Sequence, residues 1–301
     1  MDPTCLQFAL TAAERRQFNE QGYLVVPDAL DVGMRTRLIQ AVDRVDARER
    51  TASHGQDRLL SFANILPEND AFVDLIDWPR VFPKVWGILG WNICVYHTHL
   101  DVTPLARTPS ANPVAWHQDS MRVNEELECH PRPRLSLKVG YYLTDVSRPQ
   151  LGNTLLWPGS HLHDELDCPN DGVASPPEAE PLLAPAGAAL ILDRRLWHSR
   201  SPNLGTETRK VVWIGYAYRW LRPKDDMTVG RLLQGIAPIR GQLLGQASSA
   251  NSAYDPEDAD VPLRGWLEQH CPDDARWSPH HEQAQARPPA YGVRGKNTGR
   301  R

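Results

Sequence analysis

Four polar side chains have the types and spacing of a metal site with an anion-binding group beside it. His117 and Asp119 stand two residues apart, His198 follows about eighty residues later, and Arg209 lies eleven residues beyond it. Two imidazoles and one carboxylate form the facial triad, which binds non-haem Fe(II) and leaves the opposite positions open. A guanidinium matches a carboxylate with two parallel hydrogen bonds. The four residues therefore predict Fe(II), with 2-oxoglutarate and O2 as cosubstrates.

Other residues offer alternatives to parts of this assignment. A His-x-Asp pair alone is weak evidence for a metal site, because a chain with eleven histidines contains roughly one such pair by chance. His163 and Glu165 form a rival pair, but in a stretch typical of a loop, where no strand would position a metal ligand tightly. His97 and His99 alternate along a strand and can simply be polar residues that line a barrel mouth. Other arginines could supply the cation: Arg194, Arg195 or Arg200.

The first part of the chain predicts helices with one strand between them. Thr11 and Glu14 form a capping box, which indicates a helix that ends near Gln21. A short apolar run at 23–27 predicts a buried strand. Apolar residues at helical spacing then predict a second helix that begins near Asp31.

From about Trp91 onward the pattern changes to strands rich in β-branched and aromatic residues. The predicted strands are 93–102, 135–143, 153–157, 188–192 and 210–220. Turns separate them and no helical periodicity intervenes, which favours a two-sheet jelly roll over a parallel α/β sheet. The fold class is therefore mainly β with N-terminal helices.

These elements predict a single domain with a tail. The domain is expected over 1–272, with a helical buttress at 10–90, a jelly-roll core at 91–220 and a helical extension at 221–272; the flexible tail is expected over 273–301. The acidic, proline-rich segment 164–185 is predicted to form a loop or a lid over the metal end of the jelly roll.

Composition favours a small-molecule partner. The net charge of −4 is too small to predict a nucleic-acid or membrane partner, and the basic residues of the chain are spread along it rather than clustered. Five cysteines without a CxxC pair, and no secretory signal at the N-terminus, indicate a cytoplasmic protein. Nothing in the sequence indicates the oligomeric state.

The motifs together resemble the phytanoyl-CoA dioxygenase (PhyH) family of Fe(II)/2-oxoglutarate oxygenases. The matching runs are 22–27, 116–119, 152–161 and 198–209. The resemblance implies a double-stranded β-helix, a cupin-like jelly roll. It implies that His117, Asp119 and His198 bind iron, and that Arg209 binds the distal carboxylate of 2-oxoglutarate. It also places His99 and Tyr141 near that cosubstrate.

One departure from the family concerns the second position after the distal histidine, which is often serine and here is Arg200. Either Arg200 turns outward or it binds an anionic or polar group. Candidates for contact with the primary substrate are Arg122, His130, Tyr142, Trp197 and Arg200.

The expected activity is a dioxygenase reaction, foremost hydroxylation, of an unactivated C–H bond in a small molecule of specialised metabolite biosynthesis. Desaturation, epoxidation and cyclisation stay open. Alternatives are an acyl-CoA hydroxylase of the phytanoyl-CoA type, a non-catalytic metal-binding or ligand-binding member of the fold, and a metal-dependent isomerase or hydrolase that needs no 2-oxoglutarate.

Overall fold

A computed structural model describes residues 1–50, 55–106, 114–226 and 230–276. The strands in these ranges are β1 (Tyr23–Val26), β2 (Leu60–Ala63), β3 (Ile93–Thr103), β4 (Ser136–Tyr142), β5 (Thr154–Leu156), β6 (Glu180–Pro181), β7 (Ala189–Asp193), β8 (His198–Arg200) and β9 (Arg209–Tyr218). The α-helices are α1 (Ala12–Gln21), α2 (Val32–Glu49), α3 (Asp70–Val73), α4 (Phe82–Leu89), α5 (Met121–Glu126), α6 (Pro238–Leu243), α7 (Pro262–His270) and α8 (Pro272–Arg276). No helix in these ranges has the length and apolar character needed to cross a membrane.

The strands form two antiparallel sheets. The larger sheet has the order β1-β7-β4-β9-β3-β2, and the smaller has the order β6-β5-β8. Neighbours that are distant in sequence, such as β1 and β7, pair over their whole length. The predicted strand-rich, antiparallel class is confirmed, and three short strands, β2, β6 and β8, are additions to the predicted set.

The N-terminal elements follow from their capping residues. The Thr11 hydroxyl accepts from the Glu14 backbone N–H at 3.2 Å, and the Glu14 carboxylate accepts from the Thr11 N–H at 2.9 Å. Gly22 ends α1 at φ +81°, a conformation that glycine adopts without steric cost. Asp31 then caps the first turn of α2. The predicted capping box, first strand and second helix are confirmed.

The two faces of β4 have different surroundings because strand side chains alternate. Leu137, Val139 and Tyr141 belong to the larger hydrophobic core. Lys138 and Tyr142 point to the opposite face, which lies towards the smaller sheet: Tyr142 packs with Leu156 of β5 in a second core cluster. This alternation decides which β4 residues reach the site described below.

The C-terminal helices pack on the same core. Leu243, Leu263 and Leu267 from α6 and α7 belong to the larger cluster. The predicted tail begins with helix α8, and there the Trp86 Nε1–H donates to Asp274 at 3.1 Å. Residues 273–276 are therefore folded against α4, because acidic residues in the first turn of α8 meet a buried indole. Residues 277–301 of the predicted tail lie outside the described ranges.

A buried carboxylate organises the turn after β7. Asp193 is fully buried, and it accepts from Arg195 Nε at 2.9 Å, Arg195 Nη2 at 2.8 Å and Arg134 Nε at 2.7 Å. Burial alone would raise the pKa of Asp193, but the Arg195 hydrogen bonds and the Arg134 charge hold this pKa well below its ordinary value. The turn that leads to β8 is thereby held by charge-assisted hydrogen bonds.

Replacing Asp193 with Asn should destabilise the protein by about 3 kcal/mol or more, because two arginines lose their buried counter-charge. Chemical denaturation at pH 7 measures this. The native carboxylate has the depressed pKa, so its contribution is complete above the unfolded pKa of about 4 and is lost as the pH falls below it. The difference between wild type and variant should shrink accordingly in acid. The control is Asp43→Asn, at an exposed pair with Lys210, where less than about 1 kcal/mol is expected.

Candidate metal and cosubstrate site

Two backbone hydrogen bonds bring the distant histidines together. The His117 N–H donates to the His198 carbonyl, and the His198 N–H donates to the His117 carbonyl, each at 3.0 Å. The segment that contains His117 thereby pairs antiparallel with β8. Asp119 follows on the same segment, and its N–H donates to the Arg194 carbonyl at 2.8 Å. Strand pairing therefore holds the three predicted ligands in one place.

Both imidazoles are oriented by backbone carbonyls. His117 Nδ1 lies 3.0 Å from the Ala115 carbonyl, and His198 Nδ1 lies 2.9 Å from the Leu196 carbonyl. Each Nδ1 therefore donates to a backbone carbonyl, which leaves Nε2 of each ring as the atom that can face a metal ion. Burial and the neighbouring His117 lower the pKa of His198 to about 3, so this ring is neutral at physiological pH. Neutral imidazole is the form that binds metals.

The three side chains offer a compact donor set. One ligand atom from each of His117, Asp119 and His198 lies within 4.8 Å of the others, and His198 Nε2 is 3.9 Å from Asp119 Oδ1. Burial alone would raise the pKa of Asp119, but Lys138, His198 and His117 hold that pKa far below its ordinary value. Two imidazoles and one carboxylate fit a divalent non-haem iron.

Lys138 is a site residue that the sequence analysis did not find. Its Nζ lies 2.9 Å from Asp119 Oδ1 and 2.8 Å from Oδ2, and the side chain is 9% exposed. It also sits 5.0 Å from the centre of the Trp213 ring. The ring fits there because residue 140 is glycine: a Cβ at Gly140 would lie 2.5 Å from it. Lys138 is thus an ammonium ion held against a predicted metal ligand.

A cavity of about 270 Å³ extends from the metal ligands to Arg209. Arg209 is 2% exposed; its Nη2 donates to Thr154 Oγ1 at 3.3 Å, and its guanidinium lies 5.3 Å from the Tyr142 ring centre. Among the described residues, Nε and Nη1 of Arg209 have no hydrogen-bond partner. Buried donors of this kind are rare unless something binds them. The cavity therefore suits a ligand that carries a carboxylate at this end.

His99 and Tyr141 were both expected near 2-oxoglutarate, and the structure places them differently. His99 lines this cavity, and burial lowers its pKa to about 4, so it is neutral. Tyr141 instead points into the hydrophobic core, where its hydroxyl lies 3.5 Å from the Leu75 carbonyl. The structure corrects its placement by one residue along β4, because alternation brings Tyr142 to the Arg209 side.

The substrate candidates are divided among different places. Arg200 lines the cavity with Arg209. Arg122 lines a second cavity, of about 510 Å³, that opens from His117 and Asp119. His130 is exposed and pairs with Asp164 beside a separate surface cavity that contains none of the metal ligands. The Trp197 indole N–H donates to the His163 carbonyl at 3.0 Å, and the ring lines neither cavity at the metal ligands.

The alternative residues have structural roles. Arg194 donates to Asn124 at 2.7 Å and Arg195 binds Asp193, and neither lines the cavity that contains Arg209. The His163 ring lies 5.5 Å from that of Trp157, and His163 does not join the metal-ligand group. His97 Nδ1 lies 2.9 Å from Asp225. Within the described ranges, these contacts leave the triad as the candidate metal site, with Arg209 and Arg200 as the arginines that line the cavity beside it.

The segment 164–185 packs on the chain that leads into the site. Asn170 exchanges hydrogen bonds with the backbone of Trp116, at 3.2 Å and 3.1 Å, and the Trp116 indole donates to the Ala174 carbonyl at 3.2 Å. Near its end, β6 pairs with β5. The segment thus contacts the residue beside His117, and its role as a lid stays a prediction.

Comparison with known proteins now adds to the geometry. The family model for phytanoyl-CoA dioxygenase (PhyH) matches residues 18–211, which is more than half of the chain. The chain belongs to the phytanoyl-CoA dioxygenase family. This match confirms the resemblance, and it spans the triad and Arg209.

Individual PhyH relatives are more distant. A probable alpha-ketoglutarate-dependent hypophosphite dioxygenase of Stutzerimonas stutzeri is 27% identical over 166 residues, 49% of this chain and 53% of the relative. The match thus spans about half the length of that relative.

Two solved structures show a similar fold. HygX from Streptomyces hygroscopicus, with nickel and 2-oxoglutarate bound, is 17% identical, with a TM-score of 0.58 over 71% of this chain and 90% of its own. The carbocyclase SnoK from nogalamycin biosynthesis is 21% identical, with a TM-score of 0.56 over 76% and 92%.

Replacing any one of His117, Asp119 and His198 with Ala should weaken Fe(II) or Mn(II) binding. The loss should exceed the roughly 10- to 100-fold that removal of an outer-shell partner costs. Anaerobic metal titration measures it. The matched control is His163→Ala, which should bind metal as the wild type does. Wild-type affinity in all three ligand variants would refute the assignment.

Replacing Lys138 with Met should destabilise the metal-free protein by about 3 kcal/mol, because Asp119 loses its buried counter-charge. A bound divalent cation supplies that charge, so added Mn(II) should raise the melting temperature of the variant more than that of the wild type. The control is Lys84→Met, which breaks a buried pair with Glu14 away from the site. The rise in melting temperature that Mn(II) causes in Lys84→Met should equal the rise in the wild type. An equal rise in all three proteins would contradict the role of Lys138.

Proposed function

We propose that this protein is an Fe(II)- and 2-oxoglutarate-dependent oxygenase, formed by residues 1–272 as one domain with a double-stranded β-helix at its centre. The observation that carries the proposal is the cavity that joins His117 and His198 of the triad to the unpartnered donors of Arg209. A metal-dependent isomerase or hydrolase would have no need of a buried guanidinium at the far end of that cavity.

Each part of 2-oxoglutarate would be bound by a different group of this chain. His117, Asp119 and His198 would hold the iron, which binds O2 and the 2-oxo acid group when present. Arg209 would bind the distal carboxylate, and Thr154 and the Tyr142 ring hold its guanidinium in position. Gly152 leaves room for the Arg209 chain, because a Cβ there would approach Arg209 Cδ to 2.9 Å. Neutral His99 adds a polar side chain without another charge.

The second cavity is the proposed place of the primary substrate. It starts at His117 and Asp119, and its walls combine apolar side chains with cations: Tyr96, Met121, Val123 and Leu221 with Arg122, Arg222 and Lys224. A small molecule with an apolar body and polar or anionic substituents fits such walls. We propose hydroxylation as its reaction, in specialised metabolism. The likeness to the carbocyclase SnoK keeps cyclisation as the second candidate.

The first test is anaerobic addition of 2-oxoglutarate to the Fe(II)-loaded protein. A visible charge-transfer band should appear in the wild type, and succinate should form after O2 is admitted. A protein that binds the metal but neither shows the band nor releases succinate would be a non-catalytic member of the fold.

Replacing Arg209 with Ala should raise the Michaelis constant for 2-oxoglutarate more than a hundredfold. Removal of one partner of a buried charge pair costs about 3 to 5 kcal/mol, and each 1.4 kcal/mol is tenfold. Succinate formation at varied 2-oxoglutarate measures this. Arg37→Ala, at an exposed pair with Asp74, is the control and should leave the constant unchanged. An unchanged constant in Arg209→Ala would remove the anchor from this residue.

A further inference from the structure

Arg200 occupies the wall of the cosubstrate cavity beside Arg209. It lies two residues after His198 on β8, so alternation turns both side chains to the same face of the strand. Its Cα pairs with that of Thr154, whose hydroxyl accepts from Arg209. The two arginines therefore line the same cavity from strands of different sheets, β8 and β9.

The guanidinium group of Arg200 lacks a partner among the described residues. Its side chain has no hydrogen bond or ion pair within the described ranges, although it is mostly removed from solvent. Two cations in one cavity repel each other unless an anion lies between them.

The charges around the cavity leave one positive charge to be balanced. Lys138 is paired with Asp119. Arg200 and Arg209 then face one carboxylate, Asp101, which accepts from the Trp213 indole at 3.2 Å and makes no ion pair with either arginine within 4.0 Å. Two guanidinium groups and one carboxylate leave a net charge of +1. One carboxylate group of a ligand would neutralise it.

We propose that Arg200 is a second carboxylate-binding residue of this cavity, which holds the distal carboxylate of 2-oxoglutarate together with Arg209. The inference rests on the proposed function and deepens it. The planar guanidinium fork of Arg200 provides two parallel donors to a carboxylate.

The experiment measures ligand binding without turnover, by calorimetry on the Mn(II)-loaded protein under nitrogen. The ligands are 2-oxoglutarate and 2-oxopentanoate, which replaces the distal carboxylate with a methyl group. Arg200→Ala should weaken 2-oxoglutarate about 10- to 100-fold, as loss of hydrogen bonds to a charged group does, and should leave 2-oxopentanoate within about threefold. Arg200→Lys should recover part of the loss, since it restores the charge without the fork. Arg37→Ala is the control for removal of an arginine elsewhere.

The outcomes separate this inference from the proposed function. Wild-type protein that binds Mn(II) but not 2-oxoglutarate would overturn both. If Arg209→Ala weakens 2-oxoglutarate and Arg200→Ala does not, the proposed function stands and the role of Arg200 is refuted. Equal weakening of both ligands in Arg200→Ala would also refute it, because the effect would then be a general distortion of the cavity. Metal affinity of each variant, measured first, identifies variants with a damaged metal site.

Discussion

The two reciprocal backbone hydrogen bonds between His117 and His198 are the constraint on which the site depends. They make two residues, far apart in sequence, neighbours in a strand pair, so the ligand separation is set by backbone geometry. The carbonyls of Ala115 and Leu196 then choose the tautomer of each ring. Asp119 needs only its position two residues later, with its N–H held by the Arg194 carbonyl. A metal site built this way does not require flexible side chains to find one another.

The surrounding arginines divide into those that support this arrangement and those that are free for a ligand. Arg195 and Arg134 bind buried Asp193, while Arg132 donates to Gln118 at 2.9 Å in the same loop that carries His117 and Asp119. Arg209 leaves Nε and Nη1 without a hydrogen-bond partner among the described residues, and Arg200 makes no ion pair there. Charge alone therefore says little about which arginine could bind a ligand. The two groups differ instead in how many of their guanidinium donors meet an acceptor among the described residues.

The sequence contained most of the fold and the metal ligands, because those depend on local rules. The helix cap at Thr11, the strands rich in β-branched residues and the His-x-Asp pair can each be recognised from a short stretch of sequence. Lys138 was not visible, since a lysine inside a strand acquires a role only when Asp119 and Trp213 are placed around it. Tyr141 was displaced by a single residue, which in a strand reverses the face. Short strands such as β8 were not predicted, because they contain too few residues to show the two-residue alternation of a strand.

Lys138 also relates the metal centre to the rest of the cavity. Without a cation between the three ligands, the ammonium group is the counter-charge of the buried Asp119 carboxylate. If a divalent ion bound there, the same carboxylate would face both cations, and the cavity would gain positive charge. Arg200 and Arg209 add to that charge, against Asp101 alone. A dianionic cosubstrate with one charge at each end would offset the excess at both places. Metal binding and cosubstrate binding would then be coupled electrostatically, since each ion would make the other's site more favourable.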